Sequence, residues 1–170
     1  MPLFKAIWPF ARLATKRFFY RLLPDRIQLH LIYMGYMRKL LHLRHPETFN
    51  EKMQVAKISP LIKRMQPLTD KIAVREFVKA RIGSEYLIPV HGTYSGTDEI
   101  KRNELPDRFV MKCTHDSGSV FVCNDIASLD FDDMIHKLKK ALARKYFRMH
   151  REYNYKGIKP AIICEPVSYT

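Results

Sequence analysis

The amino-acid sequence predicts an α+β protein, with helices first and strands mixed with one long helix afterwards. Helical apolar periodicity fills the first half of the chain. Short apolar runs typical of strands begin after residue 85, and an amphipathic helix follows residue 130. With 170 residues, 46% of them hydrophobic, the chain can bury a core of its own, which excludes a disordered or collagen-like protein.

The first part of the chain is predicted to be helical. Helices are expected over residues 9–23 and 27–43, because Pro24 cannot continue a helix between them. Thr48 and Glu51 stand at the spacing of a capping box, which predicts a short helix that runs to about residue 58.

Another helix is predicted to begin at Thr69 or Asp70, either of which can act as the N-cap. Gly83 follows the last periodic residue, where a glycine commonly ends a helix. The apolar residues of this helix form one stripe, which we expect to face the core: Ala73, Val74, Phe77, Val78 and Ile82.

Strand-like segments follow this helix. A strand is predicted over residues 86–94, although proline and glycine interrupt it, and a single helical turn over 97–100. Residues 108–114 and 119–123 are apolar runs separated by THDSG, which predicts a β-hairpin with a loop of about five residues. A buried strand is predicted over 158–167.

Asp130 is the predicted N-cap of the clearest amphipathic helix in the sequence. Lysine and arginine residues cover its solvent side. Its apolar face, which we expect to pack on the strands, is made of Phe131, Met134, Ile135, Leu138, Ala141 and Leu142.

The positive charge of the chain is concentrated near the N-terminus. The formal net charge is +13, and residues 1–45 hold nine Lys and Arg residues against Asp25 alone. Interleaved aromatic residues make this pattern typical of helices that lie on anionic membranes, although a solvated face whose aromatics pack on the domain fits equally. Nucleic acid is not an expected partner, because no recognised binding motif is present. We expect a basic amphipathic helical region over 1–45 and a second domain over 46–170.

The three cysteines lie in apolar runs, which predicts buried, reduced thiols. No secretory signal or membrane-spanning run is recognisable near the start of the chain. A cytoplasmic protein is therefore expected, with the basic helices available for peripheral contact with the inner face of the membrane.

The predicted hairpin carries the strongest functional signal. Lys112 stands in the middle of an apolar strand, where lysine is uncommon. Alternation places it on one face with Val110 and Thr114. The small residues 117–119 in the following loop let backbone amides approach phosphate oxygens. Phosphate binding is the functional interpretation, and an ordinary hairpin with an edge lysine is the alternative.

Lys71 and Arg75 are four residues apart and share one helical face. Two cations in this position suit either a bound anion or a solvated surface, and without other context the solvated surface is favoured.

The sequence predicts no metal site. Cys113 and His115 share a face, but no second pair of ligands has the spacing of a zinc site. A Cys–His nucleophile would also need an orienting partner that the sequence does not place. Residues 152–154 offer oxygen ligands for magnesium, but a solvated polar turn is the favoured interpretation.

Five segments occur in an order that resembles the TupA-like (teichuronopeptide biosynthesis) ATP-grasp family. They span about residues 45–166 and read PETFNEKMQ, LTDKIAVREFV, EYLIPVHGTY, LPDRFVMKCTHDSGSVFVC and YKGIKPAIICEP. The family is associated with cell-surface and capsular polysaccharide synthesis, often beside glycosyltransferases. The resemblance implies that complete relatives use MgATP to activate a carboxylate as an acyl phosphate. Attack by an amine then attaches an amino acid or peptide to a glycan or its precursor.

The resemblance also implies a nucleotide site. Lys112 matches the strand lysine that contacts ATP phosphates, and Glu165 matches the acidic residue near the adenine and ribose. Lys71 and Arg75 match the DK-x-x-x-R helix of the family. The loop that closes over the phosphates matches His115, Asp116, Ser117, Gly118 and Ser119.

The sequence departs from the ATP-grasp pattern after Glu165, where only five residues follow. ATP-grasp enzymes continue into a second subdomain that supplies the magnesium ligands. We therefore expect an N-terminal ATP-grasp-like subdomain without the C-terminal half: a fragment, a split gene product or a decayed copy. Such a chain is expected to bind at most ATP, with Mg²⁺ only when the missing half is present, and to leave an unpaired strand edge at IICEP.

Two partner predictions follow from these features. The first is a second chain that completes the domain. The other is an anionic membrane surface or another protein, bound by a basic docking module that has no catalytic activity.

Overall fold

A computed structural model describes residues 23–167, except for the side chains of Lys63 and His150. Helices precede a small antiparallel sheet, which confirms the α+β prediction. The α-helices of the described chain are α1 (Asp25–Met37), α2 (Phe49–Ile58), α3 (Gln66–Thr69), α4 (Ala73–Ile82), α5 (Phe131–Leu142) and α6 (Phe147–His150). Its strands are β1 (Gly92–Tyr94), β2 (Phe109–Cys113), β3 (Val120–Cys123) and β4 (Ile162–Glu165).

Short 3₁₀ turns connect several of these elements: Pro60–Met65, Ser84–Tyr86, Thr97–Glu99, Arg102–Glu104 and Tyr153–Tyr155. The helix predicted over residues 9–23 lies, apart from its last residue, outside the described residues. From residue 23 to residue 167, no helix has the length and apolar character needed to cross a membrane.

The described chain forms two compact units. One contains residues 23–63 and 148–153, and the other contains residues 64–147 and 154–167. The predicted boundary between 45 and 46 stays a prediction about domain organisation.

The first unit has a small core made by α1 and the segment that follows it. Leu29, Tyr33 and Leu41 are buried together. The prediction of a helix over 27–43 was right about its existence and wrong about its bounds. Arg38 adopts a left-handed conformation (φ 56°) and donates its N–H to the Met34 carbonyl, so the helix ends at Met37 and the chain turns back.

The predicted capping box at the start of α2 is confirmed. The Thr48 side chain accepts a hydrogen bond from the Glu51 N–H, and the Glu51 carboxylate accepts one from the Thr48 N–H. The same carboxylate also accepts hydrogen bonds from the Glu47 N–H and from His42. These hydrogen bonds, led by that from the Thr48 backbone, lower the pKa of Glu51 from 4.5 to about 2.

The second unit is built on a four-stranded antiparallel sheet with the order β1-β4-β2-β3. Its core lies between one face of this sheet and α5, which Asp130 caps as predicted by accepting the Asp133 N–H. Burial of the α5 stripe is confirmed, with Met134, Leu138 and Ala141 almost inaccessible to solvent. All three cysteines are buried free thiols, as predicted.

β4 lies between β1 and β2, and each of its four residues is buried. The expectation of an unpaired edge at IICEP was therefore wrong. The β-hairpin prediction is confirmed, with a loop of six residues between β2 and β3.

Three helix and strand predictions need correction. The predicted strand over 86–94 is reduced to β1, since a 3₁₀ turn occupies Ser84–Tyr86 and Pro89 has no N–H to donate. The stripe of α4 is not a buried face, because Phe77 and Ile82 are 45% and 58% exposed. The N-cap of this helix is Ile72, without a side-chain capping bond, so the prediction of Thr69 or Asp70 as its N-cap was wrong. Asp70 instead stabilises the turn before the helix, as its carboxylate accepts the Ile72 N–H and its carbonyl accepts the Val74 N–H.

Candidate functional site

The sheet of the second unit has one covered face and one face that carries charge. Phe109, Met111 and Cys113 of β2 point into the core with α5. Alternation therefore places Lys112 on the other face, with Val110 beside it. Cross-strand pairing adds Val120 and Val122 of β3, and Ile163 and Glu165 of β4, to this second face.

Lys112 and Glu165 form a direct ion pair on this charged face. The Lys112 Nζ donates to the Glu165 Oε2 over 2.6 Å, although 53 residues separate the two in sequence. Arg75 of α4 approaches the other carboxylate oxygen, with its Nη1 3.7 Å from Oε1. Arg75 also donates from Nη2 to the Ile88 carbonyl over 2.6 Å, which holds the guanidinium in place. Two cations thus share one carboxylate.

Lys71 lies just before α4 and reaches the end of β2 and the hairpin loop. Its Nζ donates to the Cys113 carbonyl over 2.6 Å and to the Asp116 carbonyl over 2.7 Å. Burial lowers the pKa of this ammonium, and the nearby Asp116 carboxylate opposes that shift. Lys71 therefore contacts the backbone of the same loop in which the sequence predicts phosphate binding.

The six-residue loop combines a fixed base with an exposed tip. Asp116 is fully buried, and the Ser119 hydroxyl donates to its Oδ2. Ser117 and Gly118 are exposed. Gly118 has a φ of +100°, a conformation that favours glycine, and no atom lies where its Cβ would be. The tip is therefore open to solvent at Gly118.

His115 turns away from the exposed tip. Its Nε2 lies 3.2 Å from the Arg144 carbonyl and must donate, since a carbonyl only accepts. The ring is buried, and its Nδ1 has no hydrogen-bond partner; the Oδ1 of the neighbouring Asp116 is buried without a partner as well. The His115 side chain thus supports the base of the loop.

Thr114 is a fully buried residue of this site, and its hydroxyl is used within the protein. Its hydroxyl donates to the Lys159 carbonyl over 3.3 Å and accepts the Ala161 N–H over 3.2 Å. Its own N–H donates to the Ala161 carbonyl over 2.9 Å. These hydrogen bonds join segments that are more than 40 residues apart in the sequence. The only signal in the sequence for this linking role of Thr114 was therefore its position at the end of a predicted strand.

A reactive cysteine does not fit this geometry. Burial raises the pKa of the Cys113 thiol to about 11, so it is protonated at neutral pH and is a poor nucleophile. Within residues 23–167, no group of three or more His, Cys, Asp or Glu side chains is arranged to hold a metal ion.

The first unit contains a concave surface. It is a cleft of about 520 Å³ lined by Arg26, His30, Glu47 and residues 41–45. Most of its polar side chains are exposed, and none belongs to the charged face described above. Concavity alone therefore does not identify the site.

Comparison with known protein families gives a match to most of the chain. A family model described as TupA-like ATPgrasp matches residues 51–169, which include the whole charged face and the hairpin loop. No curated protein and no solved structure matches the chain.

Proposed function

The chain belongs to the TupA-like ATP-grasp family, and on that premise we propose that the charged face of the second unit binds ATP through its phosphates. Lys112 and Arg75 would neutralise the phosphate oxygens, and the tip of the 114–119 loop would cover them. Lys71 would act at the base of that loop, and Glu165 near the nucleoside.

The observation that carries the proposal is the convergence of cations from separate elements. Arg75 and Lys112 both approach the Glu165 carboxylate, and Lys71 contacts the base of the hairpin loop. Like charges normally repel, so bringing these cations together has an energetic cost. Glu165 balances only one of the two cations that it contacts. A polyphosphate can supply the remaining negative charge, and an ammonium or guanidinium binds phosphate oxygens well.

The exposed tip of the loop is a second feature that suits a phosphate. Small residues and a glycine at positive φ allow backbone amides to approach an anion closely. Val120 and Val122 lie on the same sheet face and are 53% and 49% exposed. Their exposed methyl groups offer an apolar surface for a nucleobase.

We also propose the finer role that the resemblance implies, a part in cell-surface or capsular polysaccharide synthesis. The γ-phosphoryl group of ATP would pass to a carboxylate to form an acyl phosphate with release of ADP, and attack by an amine on this acyl phosphate would form an amide and release phosphate. ATP-grasp proteins generally bind ATP together with Mg²⁺, so MgATP is the ligand to test. The residues of this chain would bind and orient the nucleotide and offset the phosphate charge.

The decisive experiment is calorimetric titration of the full chain with MgATP at two salt concentrations. We expect saturable binding that prefers ATP to pyrophosphate at both. Lys112→Met should weaken ATP binding about 10- to 100-fold, because a charge-assisted hydrogen bond to phosphate is lost.

Lys139→Met is the matched control. It removes the same charge from an exposed position on α5, which covers the opposite face of the sheet. We expect ATP affinity within about threefold of the unmodified protein, since surface charges away from a ligand are screened. Equal losses in both variants, or binding that salt removes equally for ATP and pyrophosphate, would show only non-specific attraction to a basic protein.

A further inference from the structure

In the part of the chain that the structure describes, the Lys71 ammonium hydrogen-bonds to two backbone carbonyls and forms no ion pair with an acidic side chain. Its Nζ lies 2.6 Å from the Cys113 carbonyl oxygen and 2.7 Å from that of Asp116. These two carbonyls flank the buried residues at the base of the 114–119 loop. The ammonium therefore fixes the direction of two peptide groups in the loop.

The direction of a carbonyl determines the direction of the next amide. In a planar trans peptide, the C=O and the following N–H point to opposite sides. The Cys113–Thr114 peptide behaves in this way. Its carbonyl accepts a hydrogen bond from the Lys71 ammonium, and its N–H donates to the Ala161 carbonyl. By the same geometry, the Asp116 carbonyl on Lys71 directs the Ser117 N–H away from Lys71, towards the exposed side of the loop.

Among the described residues, 23–167, no group accepts a hydrogen bond from the amides at the loop tip. Ser117 and Gly118 are exposed, and neither donates its N–H to another group of residues 23–167. The second of these amides belongs to a glycine with a φ of +100°, and successive backbone N–H groups in a turn are able to bind an anion together.

We propose that Lys71 is a positioning residue, which holds the 114–119 loop from beneath so that the Ser117 and Gly118 amides face the phosphates of a nucleotide. This inference rests on the proposed function and assigns Lys71 a role different from direct contact with phosphate. A charged group suits the role, because a carbonyl accepts a stronger hydrogen bond from an ammonium than from a neutral donor.

The surroundings of Lys71 are consistent with a fixed, partly desolvated ammonium. Asp116 and Cys113 face it from the hairpin, together with the cation of Lys112, and Asp70 faces it from its own segment. Burial lowers the pKa of Lys71. A side chain held in this way has little freedom to move to a ligand.

The test compares Lys71→Met, Lys71→Arg and the exposed control Lys79→Met on α4 in the full-length protein. Calorimetry gives the affinity for MgATP and for AMP, and hydrogen exchange of the ligand-free protein reports the order of residues 113–120. For Lys71→Met we expect ATP affinity to fall about tenfold or more, AMP affinity to change less than about twofold, and exchange in the loop to increase. Lys71→Arg should restore both properties in large part, and Lys79→Met should change neither.

Each other outcome has a defined meaning. If Lys71→Met loses ATP affinity while loop exchange stays unchanged, Lys71 contacts phosphate directly and the inference is overturned. Unchanged ATP affinity in Lys71→Met, with binding by the unmodified protein, also overturns it. An unmodified protein that does not bind ATP overturns the proposed function instead. If Lys71→Met does not fold, Lys71→Arg decides the question through its loop exchange and its ratio of ATP to AMP affinity.

Discussion

Thr114 joins the end of β2 to the segment before β4 through both its backbone and its side chain. The residue is fully buried, and its hydroxyl both donates and accepts a hydrogen bond. Because Thr114 is the first residue of the candidate phosphate loop, a single hydroxyl contributes to the position of the loop. At the scale of one residue, the site depends on hydrogen bonds between Thr114 and residues that are distant in the sequence.

Thr114→Val should therefore lower the free energy of unfolding by about 1–3 kcal/mol. Valine has nearly the same shape but leaves the Ala161 N–H and the Lys159 carbonyl without their partner. Urea unfolding measures the change. Thr93→Val, at an exposed position on β1, is the control and should change the unfolding free energy by less than about 0.5 kcal/mol. Similar losses in the two variants would mean that the Thr114 hydroxyl has no special role.

The start of α2 shows how one side chain can organise an element. The Glu51 carboxylate accepts hydrogen bonds from Thr48, Glu47 and His42, and so closes both the first turn of the helix and the loop before it. These donors stabilise the ionised carboxylate, which is why the pKa of Glu51 falls to about 2. Helix formation here is linked to the ionisation of a single group.

Acid should therefore weaken the first unit. The folded pKa of Glu51 lies below its ordinary value of 4.5, so the protein binds a proton at Glu51 more weakly when folded than when unfolded. The stability contributed by Glu51 is fully present above about pH 5 and is lost as the pH falls from there towards 2. Thermal unfolding between pH 7 and pH 2 tests this, and Glu51→Gln should be less stable at pH 7 and show a shallower decline with acid.

Glu47→Gln is the control for this measurement, since it removes the same charge from an exposed side chain of the same segment. We expect its melting curve at pH 7 to match that of the unmodified protein. If Glu51→Gln keeps the full acid dependence, another group is responsible for it.

At the scale of the whole molecule, the dominant property is the charge of +13. Residues 1–45 hold most of it, and the described part of that region has exposed cations at Arg26, Arg38, Lys39 and Arg44. A second basic surface lies on the solvent side of α5. The prediction of a membrane-docking region concerns the first of these surfaces.

Sedimentation with vesicles that contain anionic lipid tests this prediction with the full chain. Changing Arg26, Arg38, Lys39 and Arg44 together to glutamine should release the protein, because each cation near an anionic surface contributes about 1 kcal/mol. The charge-matched control changes four cations of the α5 region, Lys137, Lys139, Lys140 and Lys145, and should leave binding largely intact. Equal release by both variants would indicate attraction by net charge alone.

Short-range features of the chain were predictable because their information is local. The capping box at Thr48 and Glu51, the hairpin and the amphipathic α5 depend on residues a few positions apart, and each is present as predicted. The end of α1 at Met37 was not predictable in this way, because the left-handed Arg38 and the return of Leu41 to the core depend on packing within the first unit. The exposure of the α4 stripe was not predictable for a similar reason. Periodicity predicts that a helix has an apolar face, but it does not predict whether another element packs against that face.

The sequence by itself determined the α+β class, the order of the main elements and the candidate residues Lys71, Arg75, Lys112 and Glu165. Only the tertiary structure decided how these residues are used. The ion pair between Lys112 and Glu165 bridges 53 residues, and Lys71 meets carbonyls 42 and 45 residues away. The central place of β4 is likewise decided by pairing with β1 and β2. Such contacts depend on which strands and loops pack together when the protein folds, and the spacing of residues in the sequence does not predict this.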